Sequence, residues 1–262
     1  MKSFLCLLSL VLLPAIAAAA PLSVFIEELT WPEVRDAIAG GAKTAIYYAG
    51  STEQNGPHMV TGKHNVVARH VAGRIAAALG NALVYPVMPF APTGDAASKS
   101  GHMRFPGSVS VTDETFAAVA RDVAASARAA GFTHIVLMGD HGGGQEALAK
   151  VAEGLDRLWA AQGVRVHYVP AVYVEAGRRV EDYLKARGLS VGAHAGVPDT
   201  SELLFLDSDG KRVRRDRLQA GSADNGVDGD PRQASAELGR LFLDFKVEAA
   251  VTQIRKLVRP GG

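Results

Sequence analysis

Apolar positions along this chain recur in two rhythms. Short runs rich in apolar residues at 45–49, 82–88, 133–138 and 164–169 read as strands, the first of them buried, the pattern of a covered parallel sheet. Elsewhere apolar residues return every third or fourth position, at 66–79, 112–130, 145–162 and 175–187, which predicts helices. Gly80, Gly131 and Gly163 stand where the first three of these end, as glycine suits a left-handed cap. An earlier helix starts at Thr30-Trp31-Pro32-Glu33, with Thr30 as cap, Pro32 in the first turn and Glu33 closing a capping box. Gly40-Gly41 stops it, and residues 201–206 and 232–258 complete the helical set. Strands alternating with helices predict an α/β fold: a single domain with a mainly parallel sheet and helices on both faces.

The first residues follow neither rhythm. Lys2 precedes an apolar run at 4–16, followed by four alanines, Ala17 to Ala20. A basic start, an apolar middle and small residues at the end predict a signal peptide over 1–20, and the run is short of the ~20 residues a membrane span needs. Cleavage is expected after Ala18, Ala19 or Ala20, with Pro21 disfavouring the bond just before it. The remaining domain, 21–262, is then periplasmic or secreted. Cys6 is the one cysteine and leaves with the signal, so the mature chain has neither disulfide nor thiolate ligand. Its core alone must hold it, which a chain of this length can do by burying ~70% of its unfolded surface. Lys plus Arg number 28 against 27 Asp plus Glu, a balance that points to neither nucleic acid nor an anionic membrane as partner.

Chemistry-bearing residues gather in the connections. The loop after the first strand, 50–64, holds Glu53, His58 and His64; the loop after the third is Gly139-Asp140-His141-Gly142-Gly143-Gly144. A later segment runs His194-Ala195-Gly196-Val197-Pro198-Asp199-Thr200-Ser201. In an open parallel sheet the loops at the carboxyl ends of strands form the ligand site. Carboxylates and imidazoles on such loops suit zinc or manganese. The glycines match neither the dinucleotide nor the Walker phosphate pattern. His70, His134 and His167 fall inside helix or strand patterns and read as surface or packing residues.

These motifs resemble the creatininase family of amidohydrolases. Glu53-Gln54-Asn55-Gly56-Pro57-His58 followed by Gly62 is similar to its first signature, and His102-Met103-Arg104-Phe105-Pro106-Gly107 to its second loop. Asp140-His141-Gly142-Gly143, His194-Ala195-Gly196 with Asp199-Thr200-Ser201, and Gly226-Val227-Asp228-Gly229-Asp230-Pro231 continue it in order. The resemblance implies divalent metals, hydrolysis of small cyclic or linear amides, and a homohexamer. The chain departs from the family pattern at four places. Asn55 stands for a His, His64 for an Asp that bridges two metals, Asp199 for a Glu, and Gly139-Asp140 for Asn-Gly.

An imidazole nitrogen serves one metal where a carboxylate spans two, so one tight ion is expected. Its ligands are Glu53, His64 and His141, with zinc first and manganese as alternative. Asp199 either completes that shell or takes a proton from the attacking water, and a weaker second ion near Asp199 and Asp140 stays open. His194 is expected to protonate the leaving nitrogen. Gly142, Gly143, His102 and Arg104 are expected to bind substrate. The resulting expectation is an exported hydrolase that cleaves a C–N bond of a small molecule by metal-activated water. Its alternatives are a lactone or ester hydrolase and a non-catalytic periplasmic binding protein.

Overall fold

The computed structural model describes residues 22–222 and 224–258, so the expected signal segment lies outside the described residues. Four strands, β1 (Thr44–Ala49), β2 (Ala82–Val84), β3 (His134–Gly139) and β4 (Arg165–Tyr168), form one sheet in the order β2-β1-β3-β4. Every pairing is parallel. β2 stops at Val84 rather than reaching 88, because Pro86 has no N–H to offer the ladder; the chain returns to pair only at the Ala49–Met88 bridge.

Among the described residues, seven α-helices accompany the sheet: α1 (Trp31–Ala39), α2 (Lys63–Leu79), α3 (Asp113–Ala130), α4 (Gln145–Trp159), α5 (Val174–Lys185), α6 (Val197–Leu206) and α7 (Ala236–Leu257). The strand pleat sorts the core into two layers. Ile46, Tyr48, Val136 and Met138 pack with Val67, Val71, Leu243 and Ala250 of α2 and α7. Their neighbours Ala45, Tyr47, Ile135 and Leu137 pack on the other face with Phe116, Ala120, Leu148 and Val151 of α3 and α4. Glycine stops at Gly80 and Gly131 adopt the left-handed conformation, with φ of 75° and 107°.

Two departures from the sequence pattern move site residues. α6 begins at Val197, four residues ahead of the predicted start, with Pro198 in its first turn; Asp199 and Glu202 therefore share one face. α7 begins at Ala236, because the Ser235 side chain accepts from the Leu238 N–H and caps it there. α6 and α7 cross closely at Gly239, where a Cβ would stand 1.9 Å from the Ser201 carbonyl oxygen. Gly239→Ala is expected to cost about 1–3 kcal/mol or more by forcing the helices apart. A shift in the urea midpoint measures it.

His134 and His167 stack across β3 and β4, with rings 17° from parallel and Nδ1 of one 3.3 Å from Nε2 of the other. Burial, reinforced by His134 beside it, pushes His167 down to about 4. The folded state thus prefers the neutral ring. The associated stability is present in full above the unfolded value near 6.5 and is lost as pH falls through about 4. Between pH 7 and 4.5 this amounts to about 2–3 kcal/mol. His167→Gln should flatten that part of the urea-midpoint profile; an unchanged profile would show that His167 is not its source.

Candidate active site and metal centre

The site forms beyond the carboxyl ends of β1 and β3. After Ala49 the chain turns away from the sheet and folds on itself. The Glu53 N–H donates to the Thr61 carbonyl at 3.0 Å, and the Asn55 amide donates to the Glu53 and Val60 carbonyls. Asn55, at a position where the family pattern has His, therefore braces its own loop. The loop delivers Glu53 to a fully buried position, where the Ser51 hydroxyl donates to its Oε2 at 3.1 Å.

Four imidazoles surround that carboxylate. His141 Nε2 lies 2.7 Å from Glu53 Oε2, and His64 Nε2 lies 3.1 Å from Oε1. His102 Nε2 and His194 Nδ1 stand further out, at 3.9 and 3.7 Å. Burial alone would raise Glu53, but its hydrogen bonds with His141 and His64 hold it far below the usual carboxylate range. Burial, opposed by Glu53 and reinforced by the other imidazoles, pushes His102 down to about 4, and burial lowers His194 as well. Neutral imidazoles beside an ionised carboxylate are the protonation states that metal ligation requires.

The compact donor set among the described residues is Glu53, His102 and His141, whose ligand atoms all lie within 4.8 Å of one another. Two imidazoles and a carboxylate around an open position fit a catalytic zinc-type ion. His102, expected to touch substrate, thus joins this set. His64, expected as a ligand, sits at the other oxygen of Glu53 with its Nδ1 2.7 Å from Asp140 Oδ2. A carboxylate behind an imidazole is the support that orients a ligating histidine. The two carboxylates, opposed by burial and Lys63, raise His64 above its ordinary value.

Asp199 does not reach the compact donor set. Lys63 Nζ lies 2.9 Å from its Oδ1, and the Ala195 N–H donates to its Oδ2 at 2.8 Å. Burial would raise it, but Lys63 beside it holds it far below the usual carboxylate range. His194 places Nε2 2.9 Å from the Gln54 carbonyl oxygen and 3.0 Å from the Gln54 side-chain nitrogen, and turns Nδ1 toward Glu53. Gln54 ties the site loops together, its Nε2 lying 3.0 Å from His102 Nδ1 and 3.1 Å from the Gly226 carbonyl.

A cavity of about 760 Å³ opens over the cluster, lined by Glu53, His64, His102, His141, Gly142 and His194 among others. Gly142 faces it, while the Gly143 N–H is turned toward His141 Nδ1, 2.9 Å away. Gly143 is glycine for packing: a Cβ there would stand 1.9 Å from the Pro92 carbonyl oxygen. Arg104 lies in a neighbouring cavity of about 480 Å³, where its guanidinium covers the Phe105 ring at 4.9 Å. A separate groove of about 680 Å³ between α3 and α4 lies away from the carboxylate and imidazoles.

Sequence reasoning passed over three charged groups that the fold buries beside the site: Lys63, Glu202 and Lys246. Lys246 Nζ lies 2.8 Å from both Asp140 Oδ1 and Glu202 Oε2. A signal existed, since Lys246 interrupts the apolar stripe of α7 between Phe242 and Ala250.

Residues 27–254 match the family model for creatininase, described as creatinine amidohydrolase. The chain belongs to the creatininase family. It is a metal-dependent amidohydrolase of the creatininase type, with the α/β fold of that family. A mycofactocin precursor peptide peptidase of Mycobacterium ulcerans (strain Agy99) is 27% identical, over 87% of this chain and 86% of that protein. A mutant creatininase of the Zn-Zn type superposes with a TM-score of 0.74 at 26% identity, covering 91% of this chain and 99% of the other. A manganese creatininase gives 0.73 at 26% identity, over 91% and 100%.

Proposed function

We propose that this creatininase-family enzyme cleaves a C–N bond of a small amide, cyclic or linear, outside the cytoplasm, with one tightly held divalent ion. The observation that carries the reading is the buried Glu53 carboxylate ringed by imidazoles beneath an open cavity. Glu53, His102 and His141 hold the ion, and His64 closes the far side of Glu53 with Asp140 behind it. Zinc is the first choice for two nitrogens and an oxygen, with manganese as alternative. When bound, such an ion polarises the substrate carbonyl and makes water nucleophilic near neutral pH.

The chain's own groups do the rest. His194, which burial favours in its neutral form, carries the proton of the attacking water to the departing nitrogen, while contacts of its Nε2 with Gln54 fix the ring. The Gly142 face of the cavity orients the substrate. Asp199 acts through Lys63, holding that ammonium at the start of α2, rather than as a base.

The test is protein freed of metal, reloaded with zinc or manganese, and offered cyclic amides, short peptides and lactones. Release of amine on metal loading is the expected result. Hydrolysis of lactones alone would replace the reading with an esterase, and metal uptake without any hydrolysis would favour a binding protein. The N-terminal segment supports export, with a mature start between Ala19 and Leu22; an intact Met1 on a cytoplasmic product would overturn it. A homohexamer is proposed from the family resemblance, and a monomeric mass by light scattering would count against it.

A further inference from the structure

Besides Glu53, three carboxylates crowd the floor of the site: Asp140 and Glu202 are 4% and 3% exposed, and Asp199 faces them from the start of α6. Such a group of negative charges is costly away from water unless cations compensate it. Two ammonium groups do so, each from a different helix. Lys63, the first residue of α2 and 1% exposed, pairs with Asp199 at 2.9 Å. Lys246, midway along α7, is shared between Asp140 and Glu202 at 2.8 Å each. Tyr48 adds its hydroxyl, 3.3 Å from Asp140 Oδ1.

We propose that Lys63 and Lys246 are built-in cations that supply the positive charge a second divalent ion would bring, and so keep the metal centre mononuclear. Both ammonium groups sit against the carboxylates that a second ion would have to use. A second divalent ion placed there would meet like charge in a site shielded from water. The donors are committed as well. Asp140 is engaged by Lys246, His64 and Tyr48, Glu202 by Lys246, and Asp199 by Lys63 and the Ala195 N–H. A creatininase structure of the Zn-Zn type shows that the fold admits two ions. In this chain the carboxylates available for another ion are occupied by lysines. Both are positioning residues, acting on the metal centre through carboxylates.

This inference rests on the reading that the Glu53 cluster holds one ion, and the experiment separates the two. Zinc or manganese is titrated into the metal-free full chain, the bound metal per chain is measured by elemental analysis, and the manganese form is examined by electron paramagnetic resonance. The wild type is expected to bind one ion and give an isolated manganese signal. No tight ion would overturn the Glu53 reading, whereas two tight ions with exchange-coupled manganese would overturn this one. Lys246→Met frees Asp140 and Glu202, and its metal content is expected to rise to two. Lys246→Arg, which restores the charge, should stay at one. A folded Lys246→Met protein that still binds one ion refutes the proposal. Where that variant does not fold at any metal concentration, Lys63→Met is read in the same way through Asp199.

Discussion

His141→Ala protein is expected to leave purification without its ion and to lose amide hydrolysis. The imidazole lies 2.7 Å from the buried Glu53 carboxylate and is one of the three donors in the compact set. Its loss leaves two protein ligands, fewer than catalytic zinc sites employ. Loss of a mere supporting contact typically costs 10–100-fold in metal affinity or activity, so loss of a ligand should exceed about 100-fold in kcat/KM. Elemental analysis and kinetics at saturating zinc distinguish weakened binding from destroyed chemistry. His102→Ala should follow it closely, since its Nε2 joins the same cluster. Asn55→Ala should retain the ion, because that amide braces the loop carbonyls rather than the metal position. Retention of a full complement of metal and activity by His141→Ala would overturn this assignment of the centre.

The second large effect is on stability. The Lys246 side chain is 14% exposed, while those of Asp140 and Glu202 are 2% and 4% exposed. Lys246→Met leaves both carboxylates buried without their ammonium, and breaking a buried pair in this way costs about 3–5 kcal/mol. The metal-free variant should therefore unfold at much lower urea than the metal-free wild type. Saturating zinc is expected to recover part of the difference, since an ion bound only by the folded state stabilises it by about 2.7 kcal/mol at a hundred times its Kd. A metal-free urea midpoint within error of the wild type would show that Lys246 does not compensate these carboxylates.

What was legible in the sequence was local. Glycines at 80 and 131 stop helices because they alone enter the left-handed region without strain, and that requirement is visible one residue at a time. The apolar runs at 45–49 and 133–138 mark central strands of a covered parallel sheet, since both faces of those strands meet helices. Placing reactive loops after those strands followed from the same topology. Glu53 and His141 meet because each sits on one of those loops.

Tertiary structure decided which donors converge. His102 enters the cluster from a loop 49 positions beyond Glu53, held by its own N–H on the Thr93 carbonyl and by the Gln54 amide at its ring. Asp199 was expected to complete the metal shell or accept a proton, and the early start of α6 sets it against Lys63. Lys246 did not stand out in the sequence, because burial of an ammonium depends on whether carboxylates from other elements meet it. Asp140 at the end of β3 and Glu202 on α6 do. The charge balance of the site, and with it the number of ions it admits, is a property of side chains far apart in sequence, and spacing along the chain carries no record of their distances.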